Sequence, residues 1–271
     1  MAEHARDEWA PPGIDTLTAH SARMYDWWIG GKDNFEADRQ MGELFAGAIP
    51  SIRTMARENR NFMERVTRFL TRQCEIRQFL DIGTGIPTRP NVHDVAQKIA
   101  PEASVVYVDN DPVVLTHARA LMVSGEFGRT AYIDADLRQP DKILTDPALL
   151  DTLDLKQPVG LLMIALLMLL PDDEDPWGHA HAVMDALPSG SYAAITHPGL
   201  DFDPIAMVEI SNAAKQGGMT VIPRIRADVE RFFDGWEILE PGVVPVMAWR
   251  PDEPPADPRG AFYWAGVARK P

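Results

Sequence analysis

A single cysteine, Cys74, is too few for an intrachain disulfide or a zinc site built on thiolates, and a reducing cytoplasm suits such a chain. Long apolar runs are scarce as well. The longest, "VGLLMIALLMLL" from Val159 to Leu170, falls well short of the roughly 20 residues needed to cross a bilayer, and reads as a buried strand with its continuation. Residues 1 to 19 are broken by charges and by Pro11 and Pro12, so no apolar stretch of signal-peptide type is expected there. Positive charge is the third shortage. Twenty-six basic against forty acidic side chains give a formal charge of −14, a field that repels phosphate backbones and anionic membranes. Neither nucleic acid nor a membrane is an expected partner.

What is present is a core. Apolar residues make up 45% of 271, enough for one large α/β domain with additions or two modest ones. Five strand segments are predicted at Gln78 to Ile82, Ser104 to Asp109, Thr130 to Ile133, Gly160 to Ala165 and Ser191 to Thr196. Helical segments alternate with them at Val92 to Ile99, Pro112 to Val123, Pro140 to Leu150 and Pro176 to Ala186. That alternation builds a doubly wound, Rossmann-like parallel sheet. "GWEILEPG" and "AFYWAGVARK" break the rhythm near the end, with only the proline-rich "RPDEPPADPRG" shortly before the second, and predict an antiparallel hairpin closing the sheet. Ahead of the first strand, "TAHSARMYDWWIGG" and "PSIRTMARENRNFMERVTRFLTRQ" read as helices. Met55, Phe62, Val66 and Phe69 recur at helical spacing in the second, with Ser51 as its N-cap. The expected division is a helical cap over residues 1–74 and an α/β domain over 75–271.

The stretch "QFLDIGTGIPTRPN" joins a strand to a helix through a glycine turn, an arrangement that holds nucleotide-like ligands. The dinucleotide fingerprint fails, because "GTGIPT" from Gly83 puts Thr88 where a third glycine belongs. Asp81 would also set a like charge close to a pyrophosphate in a poorly hydrated place. A ligand bearing an ammonium group would gain from Asp81, and S-adenosylmethionine, with an ammonium, a sulfonium and no phosphate, is the better electrostatic match. Further acids follow the next two strands. Asp109, 24 residues after Gly85, can accept ribose hydroxyls; Asn110 would lie beside the adenosine, and Asp136 could accept from an adenine amino group. Gly83 and Gly85 would let the backbone approach the ligand. Each of the three acids could instead be a helix cap or turn residue.

"DIGTGIP", "VDNDP" and "ADL" resemble class I S-adenosylmethionine-dependent methyltransferases, with Pro87 in place of the last glycine of their usual motif. "YDWWIGGKDNFEADR", "FLDIGTGIPTRPNVHDVAQ" and "PDDEDP" are similar to one bacterial family of S-adenosyl methyltransferases, over nearly the whole chain. The resemblance implies a cofactor site of Asp81, Gly83, Thr84, Gly85, Asp109, Asn110, Asp136, Leu137 and Ala165. Tyr25 and a covering segment at Gly30, Gly31 and Lys32 would complete it. It also implies methyl transfer to a small-molecule acceptor. Many relatives carry a histidine in an "LHxxPD"-like stretch, whereas this chain reads "LMLLPD" with Met168, whose thioether cannot be a general base. The Asn-Pro-Pro-Tyr type of motif is absent from "MIALLML", which argues against nucleobase methylation.

Other features carry two readings each. His197, past the fifth strand, is either a catalytic base or a structural histidine. Asp172 to Asp175 read as dipole-complementing acids of a helix start rather than a metal cluster, and no metal is expected. Arg53, Arg57, Arg60, Arg65, Arg68 and Arg72 read as a solvated helix face. Tyr25, Trp27 and Trp28 either line a substrate pocket or pack a core. "HPGLDFDPIAMVEISNAAKQGG" and the N-terminal helices are expected to wall the acceptor site. Two rival functions stay open: a non-catalytic S-adenosylmethionine sensor and a nicotinamide-dependent oxidoreductase.

Overall fold

A computed structural model describes residues 15–121 and 125–271. The end of the helix expected to run to Val123 lies outside them, as does most of the polar N-terminal stretch. Three helices come first: α1 (Ser21–Trp28), α2 (Glu36–Ala48) and α3 (Ile52–Gln73). The rest alternates as β1 (Gln78–Ile82), α4 (Val92–Ile99), β2 (Ser104–Asp109), α5 (Pro112–Leu121), β3 (Arg129–Asp134), α6 (Pro140–Leu144), α7 (Pro147–Thr152) and β4 (Gly160–Ile164). It continues with α8 (Pro176–Ala186), β5 (Tyr192–Pro198), α9 (Pro204–Gln216), α10 (Arg226–Glu230), β6 (Glu237–Ile238), β7 (Val244–Pro245) and β8 (Tyr263–Arg269).

The sheet order is β3-β2-β1-β4-β5-β8-β6, with β7 also on β8. The first five strands are parallel, and β8 runs antiparallel between β5 and β6. The mixed α/β fold expected from the sequence is present, with the C-terminal hairpin reduced on one side to the two residues of β6. Parallel strands must be covered on both faces, which is why β1, β2 and β4 are nearly continuous buried runs.

One face of the sheet is covered by the N-terminal helices. Met55, Phe62, Met63, Val66 and Leu70 of α3 are buried in one cluster with Phe79, Tyr107, Leu162 and Ala194 of the strands. Each of the five α3 side chains contributes roughly 1.5–3 kcal/mol of apolar burial. The opposite face buries Leu80, Val106, Leu161 and Ile195 against Leu149, Val183 and Phe232.

Local departures from the sequence reading have local causes. The helix expected from Pro140 to Leu150 is two, because Pro147 cannot continue the first and Asp146 caps the second by accepting from Ala148 N at 2.8 Å. The fourth strand stops at Ile164, since Ala165 takes φ +54. Ser51 stands at the N-cap of α3 without a side-chain capping bond. Helix α2 was not anticipated; Asp38, three residues past Phe35, accepts the Phe35 N–H at 2.8 Å and starts it.

Asp172–Glu174 form a short 3₁₀ turn rather than the first turn of α8. Asp175 alone caps α8, while Asp172 pairs with Arg224 and Glu174 with Arg138, both at 2.6 Å. Among the described residues no cluster of His, Cys, Asp and Glu is placed to hold a metal ion, and no helix is long and apolar enough to cross a membrane.

Candidate active site

The C-terminal ends of β1 to β4 open beneath α1 and α3 into a cavity of about 210 Å³. Its lining brings together Tyr25, Asp81, Gly83, Thr84, Gly85, Asp109, Asn110, Asp136, Leu137 and Ala165 from positions up to 140 residues apart. The loop after β1 is tied to β2: the N–H groups of Gly83 and Thr84 donate to Val108 O at 2.8 and 3.3 Å. Both glycines are left-handed, at φ +73 and +67, but for different neighbours. A Cβ on Gly85 would point into open space on the cavity side, as expected of a backbone that a ligand approaches. At Gly83 it would come within 2.6 Å of Leu166 Cδ1, so that glycine serves the packing of the segment after β4.

The acids are less free than the sequence suggests. Asp109 accepts from Gly85 N at 2.8 Å and from Asp111 N at 3.0 Å, so it holds the glycine loop as well as facing the cavity. Asn110 donates to Asp136 at 2.8 Å, and Arg138 bridges Asp136 and Glu174. Asp81 is 7% exposed and its carboxyl is pushed up to about 7, by burial first and the Asp109 charge also, against the opposing pull of Arg60 and Thr84. Burial raises Asp109 too. A cavity floor with two desolvated carboxyls stabilises a cation.

Several lining residues escaped the sequence reading. His20 lines the cavity, with its Nδ1 2.9 Å from a carboxylate oxygen of Asp111. From α3 come Asn59, Arg60 and Met63, from the end of β4 comes Ile164, and from beyond it come Leu166 and Leu170, beside the Met168 already singled out in the sequence. Helical spacing could have suggested Asn59 and Met63, which share the buried face with Met55 and Phe62. Arg60, grouped with the solvated arginines, instead donates to Thr88 O and to Pro90 O and lines the cavity. The aromatic triplet divides: Tyr25 lines the cavity, while Trp28 stacks on Phe45 and Trp27 bonds to Glu43.

Other expected positions lie elsewhere. Gly30, Gly31 and Lys32 do not line the cavity. Asp26 holds their loop by accepting from Asp33 N at 2.9 Å and Asn34 Nδ2 at 2.8 Å, and Lys32 is exposed. The segment from His197 to Gly218 is also absent from the lining, because α9 packs on α2 instead. His197 is not in a loop past the fifth strand but inside β5, fully buried, paired across the sheet with Trp264. Its Nδ1 faces Pro198 O at 3.0 Å and its Nε2 faces Arg224 Nη1 at 2.8 Å. Burial and the guanidinium push it down to about 3, so the ring stays neutral and orients Arg224. Arg224 in turn donates to Leu167 O, Leu170 O and Asp172, fixing the segment that carries Met168.

Comparison with known proteins places this geometry. Residues 7–271 match the model of a family described as S-adenosyl methyltransferase. A DUF574 family protein from Streptomyces avermitilis MA-4680 is 43% identical, with a TM-score of 0.92, 95% of this chain and 99% of that one being covered. A proposed methyltransferase from Thermobifida fusca YX is 39% identical, with a TM-score of 0.89 and coverage of 97% and 98%. An O-methyltransferase family protein from Burkholderia thailandensis, 11% identical with a TM-score of 0.51 over 85% of this chain and 62% of its own, shares the fold. No curated protein matches the chain.

Proposed function

The chain belongs to the S-adenosyl methyltransferase family, and from that premise we propose that it methylates a small molecule whose acceptor atom is already nucleophilic, by positioning rather than by a histidine base. The cofactor is S-adenosylmethionine, and the residues present fit it. The open space before Gly85 admits it, and the buried carboxyls of Asp81 and Asp109 suit a cation. Asp81 would face its ammonium group, Asp109 the ribose, and Asn110, Asp136 and Leu137 the adenine ring. When bound, it supplies an electrophilic methyl group on a sulfonium whose leaving thioether needs no protonation.

The observation that carries the proposal is the character of the wall around Tyr25. Ile29, Met63, Ile164, Met168 and Leu170 are apolar, Asn59 is neutral, and burial pushes the Tyr25 phenol up to about 12, out of range of a base near neutral pH, while His20, also in the lining, has its Nδ1 taken up by Asp111 at 2.9 Å. The Asp26 carboxylate at this end is already engaged with the loop at residues 33 and 34. Such a wall orients a neutral amine or a phenolate in line with the donor methyl, where a near-attack geometry supplies much of the rate. A nucleic-acid acceptor is disfavoured by the charge of −14.

The test uses cofactor labelled in the methyl group against a panel of phenols and primary and secondary amines, with DNA, RNA and a bulk protein fraction as competing acceptors. Label in one of the small molecules, at a rate that follows that molecule's own ionisation, is the expected result. Label confined to a macromolecular fraction refutes the proposal.

A further inference from the structure

Two cavity residues of α3 carry polar groups that the proposed methyl transfer leaves unused. Asn59 is 1% exposed and lines the cavity; its Nδ2 donates to Tyr25 Oη at 3.3 Å, while its Oδ1 is buried with no hydrogen-bond partner. The amide orientation is fixed by its neighbours. Tyr25 Oη donates its proton to Ala56 O at 2.6 Å, so toward Asn59 it can only accept, and the carbonyl is the end left over. A buried acceptor without a donor costs roughly 1–3 kcal/mol, a cost that a bound N–H or O–H group removes.

Arg60, the next residue, uses one nitrogen, Nη2, on the carbonyls of Thr88 and Pro90. Its Nε and Nη1 make no hydrogen bond and it has no carboxylate partner among the described residues, although the chain carries forty acids. It stands close enough to Asp81 for its charge to favour that carboxylate. Asn59, Arg60 and Asp81 thus bring to one cavity a neutral acceptor, a cation with free donors and a buried acid. That is the complement of a zwitterion.

We propose that α3 reads the amino-acid end of the cofactor, Arg60 taking its carboxylate and Asn59 Oδ1 one hydrogen of its ammonium group beside Asp81. This rests on the methyltransferase reading and deepens it. Arg60 also couples recognition to loop order, because the same guanidinium clamps the turn at Thr88 and Pro90 that follows the glycines. The site would therefore discriminate against adenosine thioethers that lack an amino-acid tail.

Calorimetry on the full chain with three probes tests this: S-adenosylhomocysteine, its decarboxylated form S-adenosyl-3-thiopropylamine, and 5′-methylthioadenosine, which has neither charge. Arg60→Gln should weaken S-adenosylhomocysteine by about ten- to a hundredfold and leave the other two within about twofold, with Arg60→Lys recovering part of the loss. Asn59→Leu should weaken both amine-bearing probes by about tenfold and spare 5′-methylthioadenosine. Equal losses for all three probes would mean that Arg60 or Asn59 acts only through the loop or the fold, and would overturn the assignment, as would no loss at all. Failure of the wild-type chain to bind S-adenosylhomocysteine would instead remove the methyltransferase reading beneath it.

Discussion

The ionisation of Asp81 should make cofactor affinity depend on pH in a window where few other carboxyls titrate. In the free protein the carboxyl is pushed up to about 7 by burial, with the Asp109 charge adding to it. An ammonium group gains only from the ionised form, so binding in acid must first remove a proton, and the observed affinity scales with the ionised fraction. With half-ionisation near 7, that fraction is roughly 3% at pH 5.5 and 76% at pH 7.5, so S-adenosylhomocysteine should bind about twenty-five-fold more tightly at the higher pH. Calorimetry in two buffers of different ionisation enthalpy would report close to one proton released per ligand near pH 6. Asp81→Asn should lose the slope and bind weakly throughout. The sign for stability is opposite. A folded-state value raised from 3.8 to about 7 favours the folded state at low pH, and the benefit is lost as pH rises through about 7, by up to roughly 4 kcal/mol. The free Asp81→Asn protein should therefore be more stable than wild type at pH 8 and no more stable at pH 4. Wild-type affinity flat from pH 5.5 to 7.5, or an Asp81→Asn protein that binds like wild type at pH 7.5, would refute this account of the glycine loop.

Asp109→Ala should weaken S-adenosylhomocysteine by about 2 to 4 kcal/mol and speed amide exchange at Gly85 and Asp111, whose N–H groups it now holds; unchanged affinity in a folded variant removes its ribose role. Gly85→Val should abolish cofactor binding and keep most of the fold, whereas Gly83→Val should mainly destabilise and be partly rescued by Leu166→Ala, as thermal melts with and without ligand would show. His197→Ala should keep turnover within a few-fold of wild type but lower the melting temperature, because Arg224 loses a buried acceptor; a hundredfold loss of turnover with an intact melt would restore the base. Exchange from Ile29 to Phe35 should slow on saturation with S-adenosylhomocysteine, since Ile29 lines the cavity; equal rates with and without ligand discard the closing segment.

The legible part of this molecule is the part written in local pattern. Strands β1 and β2 and helices α4 and α8 match their sequence segments end to end, because each is a periodic run bounded by a proline, a cap or a turn. The glycine turn and the acids after three successive strands were legible for the same reason: topology alone carries the C-terminal ends of adjacent parallel strands to one edge. What the sequence hides is orientation. Arg60 and Arg65 sit in the same charged pattern as Arg53 and Arg68, yet Arg60 turns to the loop carbonyls and Arg65 to Val246 O and Trp249 O, from partners 28 to 184 residues away. His197 looked available because it ends a run of β residues, and only the antiparallel β8, laid beside it from the far end of the chain, extends the strand past it, while Phe232 and Arg224 meet the buried ring.

That burial bears on how the site works. Met168 lies in the segment after the fourth strand, and that segment is held from three directions. Leu166 packs on Gly83, Ala165 N donates to Thr196 O and Oγ1, and Arg224, aligned by a permanently neutral His197, gathers the carbonyls of Leu167 and Leu170. Ala165 is kept at φ +54, a left-handed conformation that a residue with a Cβ adopts only when its surroundings enforce it. A segment restrained so heavily, ending in side chains that exchange no protons, is suited to fixing the direction of approach and unsuited to proton transfer. His197 is thus committed to holding Arg224, and through it the segment that carries Met168, which on the proposed reading leaves proton loss to the acceptor's own nucleophilicity.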